Sequence, residues 1–239
     1  MKAEFTGPNQ EIFSLSYGPN DSDTLVLLLQ PFPWEMQRIA WTYNQLAKRL
    51  AKKGILAKTF HYLSSGDSAG SSRHFSIEQG AKDLELILSQ ANQRRIILLG
   101  TRLGANLAIS CSKQPKIIAK LAVDPIENGS KYLADQTVIH RSRLSKKGYW
   151  PPYLTESNVK GQLLGYEFSK SLESEVRAIK LNLSTTDKVF YTQASPAGSK
   201  GQVIGEPKSL WENGDKLTLS HFSHLTMNHL LQEIDEVLS

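Results

Sequence analysis

The chain has 239 residues, 40% of them apolar, which is enough for one buried α/β core and unlike the composition of a disordered or collagen-like protein. Its 28 Lys and Arg against 23 Asp and Glu leave a formal net charge of +5, but the basic residues are scattered. The densest group, Lys48, Arg49, Lys52 and Lys53, reads as a solvated helix face, so no nucleic-acid partner is expected. A lone cysteine, Cys111, excludes an internal disulfide, the opening MKAEFTGPNQ has no apolar leader, and the most apolar run, Thr24 to Leu29, is too short to cross a bilayer. The expectation is a cytoplasmic location without membrane insertion.

In chain order, residues 11–17 alternate apolar and polar side chains and predict a half-exposed edge strand, whereas LVLLL at 25–29 predicts a strand buried on both faces. Helical spacing over 34–53, with Gly54 at the position of a C-terminal glycine, predicts a long amphipathic helix. Residues 55–62 return to strand, SSGDSAGSS is a loop, and Ser76 is placed to cap a helix running to about Asn92. The strand at 95–99 enters Gly100-Thr101-Arg102-Leu103-Gly104 and leaves through the helix former ANLAISCS, and residues 117–123 give the next strand, ending at Asp124-Pro125. Four strands alternating with three helices imply a mostly parallel sheet with helices on both faces. From Gly129 come polar helices to about Lys146, the segment GYWPPYLTES, and a helix at 171–180; residues 130–180 read as a small cap-like insertion or an ordinary long connection. Strands at 189–193 and around 217–219 and a closing helix at 224–238 complete one domain, 1–239.

The turn at 100–104 has the spacing of Gly-x-Ser-x-Gly, the strained strand-to-helix elbow of α/β-hydrolases, with Arg102 in place of the serine. The fold expectation is therefore the α/β-hydrolase plan. Before the elbow, Gln30-Pro31-Phe32-Pro33 follows the first buried strand, so the backbone N–H groups of Phe32 and Leu103 are candidates for an oxyanion-type pair.

Five segments, PFPWEMQR (31–38), GDSAG (66–70), LLGTRLGANLA (98–108), VDPIENG (123–129) and LLGYEFS (163–169), occur in an order that resembles the exosortase-associated hydrolases. Within that group the chain is similar to the second type, whose elbow also carries Arg. The resemblance spans roughly residues 24–170 and departs from the family at His61, where an acidic residue usually precedes the Gly-Asp-Ser loop. It implies an α/β-hydrolase fold in a setting of exopolysaccharide and protein-sorting systems.

Arginine cannot serve as nucleophile, because its guanidinium stays protonated. Ser110, Cys111 and Ser112 lie about two turns into the helix, and Ser68 has no evident base, so each reads as structural. After the strand at 189–193 comes Ala194-Ser195-Pro196, without the expected acid. His221 stands where a triad histidine would, with His224 as second choice, and Asp124 occupies an alternative position for its acid. Arg102 suits an anion, held bidentately, or an internal salt bridge to Glu35. No metal-ligand spacing and no phosphate-cradling loop is present, and no cofactor is expected. Three functions remain open: a hydrolase-family protein that binds a small acyl, sugar or anionic ligand at Arg102, Leu103, Phe32 and Glu35; an esterase or thioesterase in which His221 and Asp124 activate water; and an interaction module, marked by an apolar patch at 149–153. Neither the ligand nor the oligomeric state is specified by the sequence.

Overall fold

The computed structural model describes residues 1–112, 114–145, 161–184, 187–192, 201–204 and 224–239. Among these, the chain runs β1 (Lys2–Thr6), β2 (Ile12–Tyr17), β3 (Thr24–Leu29), α1 (Met36–Lys52), β4 (Leu56–Phe60), α2 (Ile77–Ser89), β5 (Arg95–Thr101), α3 (Leu103–Ser110) and β6 (Ile117–Val123). It continues through α4 (Gly129–Ser145), the short strands β7 (Gln162–Leu163) and β8 (Tyr166–Glu167), α5 (Lys170–Ala178), β9 (Asp187–Tyr191), β10 (Gln202–Val203) and α6 (His224–Leu238).

Eight strands form one sheet in the order β1-β2-β4-β3-β5-β6-β9-β10. The pairs β1/β2 and β2/β4 are antiparallel and all later neighbours are parallel. The continuous apolar run of β3 has a simple cause. Leu25, Leu27 and Leu29 face one apolar cluster, with Leu84, Leu103, Leu107, Tyr132 and Val176 of α2 to α5. Val26 and Leu28 face another, with Ile39, Leu46 and Leu50 of α1 and Leu230 and Ile234 of α6. Side chains alternate faces along a strand, so a strand covered on both sides needs apolar residues at every position.

Local signals act as the sequence suggests. The Ser76 hydroxyl accepts from Gln79 N–H at 3.0 Å, and after α1 the chain turns through Gly54 at φ +76°. Two expectations change. The strand at 12–17 is not the edge, because β1 pairs outside it; KAEFT is too polar and short to stand out by periodicity. The polar stretch after Gly129 is one helix, with Tyr132 and Leu133 buried in the same cluster as β3. The two-residue strands β7, β8 and β10 carry too little pattern to be found. The strand expected at 217–219 and the apolar patch at 149–153 lie outside the described residues.

Candidate functional site

The site is built on the elbow between β5 and α3. Arg102 has φ +53° and ψ −118°, a conformation that L-residues avoid, and it persists because the turn is sterically closed. A Cβ on Gly100 would stand 2.1 Å from the Gly104 carbonyl oxygen, and one on Gly104 would stand 2.2 Å from the Leu29 carbonyl oxygen. The first turn of α3 thus lies directly against the end of β3. Arg102 N–H donates to Val123 O at 3.0 Å, tying the elbow to β6, and the Asn106 amide exchanges two 2.9 Å hydrogen bonds with the backbone of Ile126. From the α1 side, the Tyr43 hydroxyl joins Leu29 O and the Thr101 hydroxyl, clamping the ends of β3 and β5.

Close packing of α3 on β3 brings Leu103 beside the loop that holds Phe32 and Glu35. Leu103 opens α3, where a backbone N–H has no acceptor within the helix. Phe32 sits in a turn closed by Glu35 N–H donating to Phe32 O at 2.8 Å. Glu35 is the N-cap residue of α1 but makes no side-chain cap. Its carboxylate is turned to the elbow instead, with Oε1 3.4 Å from Arg102 Nε.

The pair is buried: Glu35 is 3% exposed, and the Arg102 side chain is 15% exposed. Burial pushes the Glu35 carboxyl above its ordinary pKa, while Arg102 and then Arg38 and Tyr132 pull it back. Burial works against the Arg102 charge too, yet Glu35 foremost, then Tyr132 and Asp124, hold the guanidinium above its usual value. Glu35 Oε2 is buried without a hydrogen-bond partner among the described residues.

Around the pair lies an aromatic wall. Phe32 stacks on Trp34 with ring centroids 4.5 Å apart and on Tyr132 at 5.4 Å. Trp34 Nε1–H donates to the Tyr132 hydroxyl at 3.0 Å. The Arg102 guanidinium lies over the Tyr132 ring, 4.9 Å from its centroid, a cation–π contact. Arg38 is buried one helical turn beyond Glu35, and burial lowers its pKa, as do the nearby charges of Arg143 and Arg102. Tyr132 and Arg38 were not singled out by the sequence. Arg38 lies within PFPWEMQR, but the approach of Tyr132 from α4 is set by packing alone.

Asp124 is buried at the end of β6 with φ +47°. Its Oδ1 accepts from Thr192 N–H at 2.8 Å and its Oδ2 from the Thr192 hydroxyl at 2.5 Å, which joins β6 to the end of β9. His221, its proposed partner, lies outside the described residues. His224 opens α6 on the surface. The Ser68 hydroxyl donates to His61 O at 2.6 Å and accepts from Phe13 N–H at 2.9 Å, so it closes a loop. His61, where the sequence leaves the family pattern, accepts from Asp67 N–H at Nδ1; burial lowers its pKa against the opposing charge of Asp67. Ser110 Oγ donates to Leu107 O. Among the described residues no group of three or more His, Cys, Asp or Glu is placed to hold a metal ion, and no helix is long and apolar enough to cross a membrane.

The arrangement can hold negative charge: a guanidinium fixed at the mouth of a parallel sheet, where such folds bind ligands, flanked by a second arginine and by the start of a helix. It offers no nucleophile at the elbow.

No protein-family model matches the sequence, and no curated protein matches it. Solved structures do match in fold. A candidate hydrolase from Agrobacterium vitis S4 superimposes with a TM-score of 0.63 at 16% identity, covering 100% of this chain and 98% of that one. Mouse alpha/beta hydrolase domain-containing protein 10 gives 0.63 at 14% identity over 100% and 98% of the two chains. A carboxylesterase of the ammonia-oxidizing thaumarchaeon Nitrososphaera gargenis gives 0.62 at 12% identity over 98% of each. At such identities the likeness concerns architecture, and with the sheet order and the glycine-locked elbow it fixes the architecture of this chain as the α/β-hydrolase fold.

Proposed function

We propose that this protein uses the hydrolase fold to bind a small anionic ligand, foremost a carboxylate, at Arg102, with the backbone amides of Phe32 and Leu103 beside it and without serine chemistry. The observation that carries this reading is the Arg102–Glu35 pair at the elbow. A strained backbone and two sterically obligatory glycines are kept to present a side chain at the sheet mouth, and that side chain is a cation already holding a carboxylate. Glu35 thus stands in for the carboxylate of a ligand. An arginine of this kind recognises a planar anion by charge and by hydrogen-bond geometry.

The five ordered segments that resemble the exosortase-associated hydrolases of the Arg type support assigning the protein to that group, and with it to a setting of exopolysaccharide or protein-sorting machinery. The free thiol of Cys111 suits a reducing compartment. On this reading α4 acts as part of the cover of the site, with Tyr132 reaching down onto Arg102.

The test is a titration with butanoate followed by tryptophan fluorescence, since Trp34 belongs to the aromatic wall. The native protein is expected to give a saturable change that Arg102→Gln abolishes while keeping its fold. Equal saturation in both proteins would remove Arg102 from the reading.

A further inference from the structure

The carboxylate that already occupies the elbow determines what must happen when another arrives. Glu35 is held by Arg102 Nε at 3.4 Å and is almost fully buried, with Oε2 unpartnered among the described residues. Among the described residues, the charged and titratable groups around it are Arg102 from the elbow, Arg38 from its own helix and Tyr132 from α4, with Asp124 acting on Arg102 and Arg143 on Arg38. A ligand carboxylate that engages Arg102 must share or take the guanidinium. A second ionised carboxylate in the same dry space would then keep Arg38 as its remaining countercharge without the direct ion pair to Arg102, and burial disfavours that charged form.

We infer that a monocarboxylate binds here by exchange, taking the place of Glu35 on Arg102 while Glu35 picks up one proton from solvent and remains behind as the neutral acid. The balance is simple: one anion and one proton enter together, no covalent bond changes, and the net charge of the site is preserved. Neutral Glu35 keeps a hydroxyl to donate, so it can hydrogen-bond the ligand that displaced it. The tendency of burial to raise its pKa acts in the same direction. The inference rests on anion binding at Arg102 and adds to it a proton stoichiometry and a direction of pH dependence.

Titration calorimetry with butanoate on the full chain tests it. At pH 7 in imidazole and in Tris, two buffers whose protonated forms are cations, the dependence of the heat on buffer gives the protons taken up. A simple carboxylic acid, with a pKa of about 4.5, stays ionised throughout, so the ligand supplies no proton. The native protein is expected to take up protons, at most one per butanoate, and to bind more weakly as pH rises from 6 to 8, by at most about tenfold for each unit. Glu35→Gln, which carries no charge to be displaced, is expected to bind without proton uptake and with one affinity across that range. Native binding that is flat with pH, or the same slope in Glu35→Gln, overturns the exchange while leaving anion binding in place. Absence of butanoate binding in both proteins overturns the anion-binding reading and the exchange together.

Discussion

Arg102 Nε lies 3.4 Å from Glu35 Oε1, across 67 positions of sequence, at the point of the fold where a hydrolase would present its nucleophile. Neither residue is a common choice for its local position. Arg102 adopts a left-handed φ that favours glycine, and Glu35 occupies a helix N-cap without capping it. Each departs from local preference, and the departures meet in one ion pair.

Removing one partner of that pair leaves the other buried without its main countercharge. Arg102→Ala is expected to lower stability by about 3–5 kcal/mol, measured by urea unfolding. The double change Arg102→Gln with Glu35→Gln is expected to cost clearly less than the sum of the single changes. Additive losses would show that the two groups are not coupled.

The elbow glycines allow a sharper test of the backbone. Gly104→Ala places a Cβ 2.2 Å from the Leu29 carbonyl oxygen and 2.6 Å from that of Gln30, neither of which is a flexible side-chain end. A loss of about 3 kcal/mol or more is expected. A variant that unfolds at the same urea concentration as the native chain would contradict the close packing of α3 on β3.

Glu35 also sets a stability slope. Its folded-state pKa is raised above 4.5 by burial, so between 4.5 and that raised value the folded chain binds more protons than the unfolded one. Stability is therefore expected to fall as pH rises through this window, by about 1.4 kcal/mol in total for each unit of the shift. Glu35→Gln should flatten this part of the profile, and an unchanged profile would assign the slope to other groups.

Reactive side chains should be scarce. Cys111 is half-buried and its thiol pKa is raised by burial despite the nearby Lys120, and the Ser68 hydroxyl is engaged both as donor and as acceptor. Disulfide reagents are expected to modify Cys111 slowly at neutral pH and rapidly after unfolding. A fluorophosphonate probe is expected to leave the folded protein unlabelled; stoichiometric labelling of any serine would reopen serine chemistry.

How much of this was legible from the sequence differs between fold and site. The alternation of β3 to β6 with α1 to α3 could be read because a sheet covered on both faces writes apolar runs such as LVLLL, and because Ser76 and Gly54 mark helix ends by local chemistry. The elbow could be read because two glycines at fixed spacing have a steric cause. The pairing of Arg102 with Glu35 was one of two alternatives, since reach across the crevice depends on rotamers that no spacing encodes. Tyr132 and Thr192 were missed for the same reason: each reaches its partner by tertiary packing, Thr192 across 68 positions to Asp124. The edge strand β1 was missed because its polar sequence is what an exposed edge requires.

The most direct test of the account observes the guanidinium itself. The Arg102 Nε–Hε cross-peak, assigned by its loss in Arg102→Lys, can be followed by NMR during addition of butanoate, with the exposed Arg73 as the internal reference. The account predicts that the Arg102 peak shifts saturably while Arg73 stays in place. An Arg102 peak that does not move, or that moves only in proportion to Arg73, would contradict it.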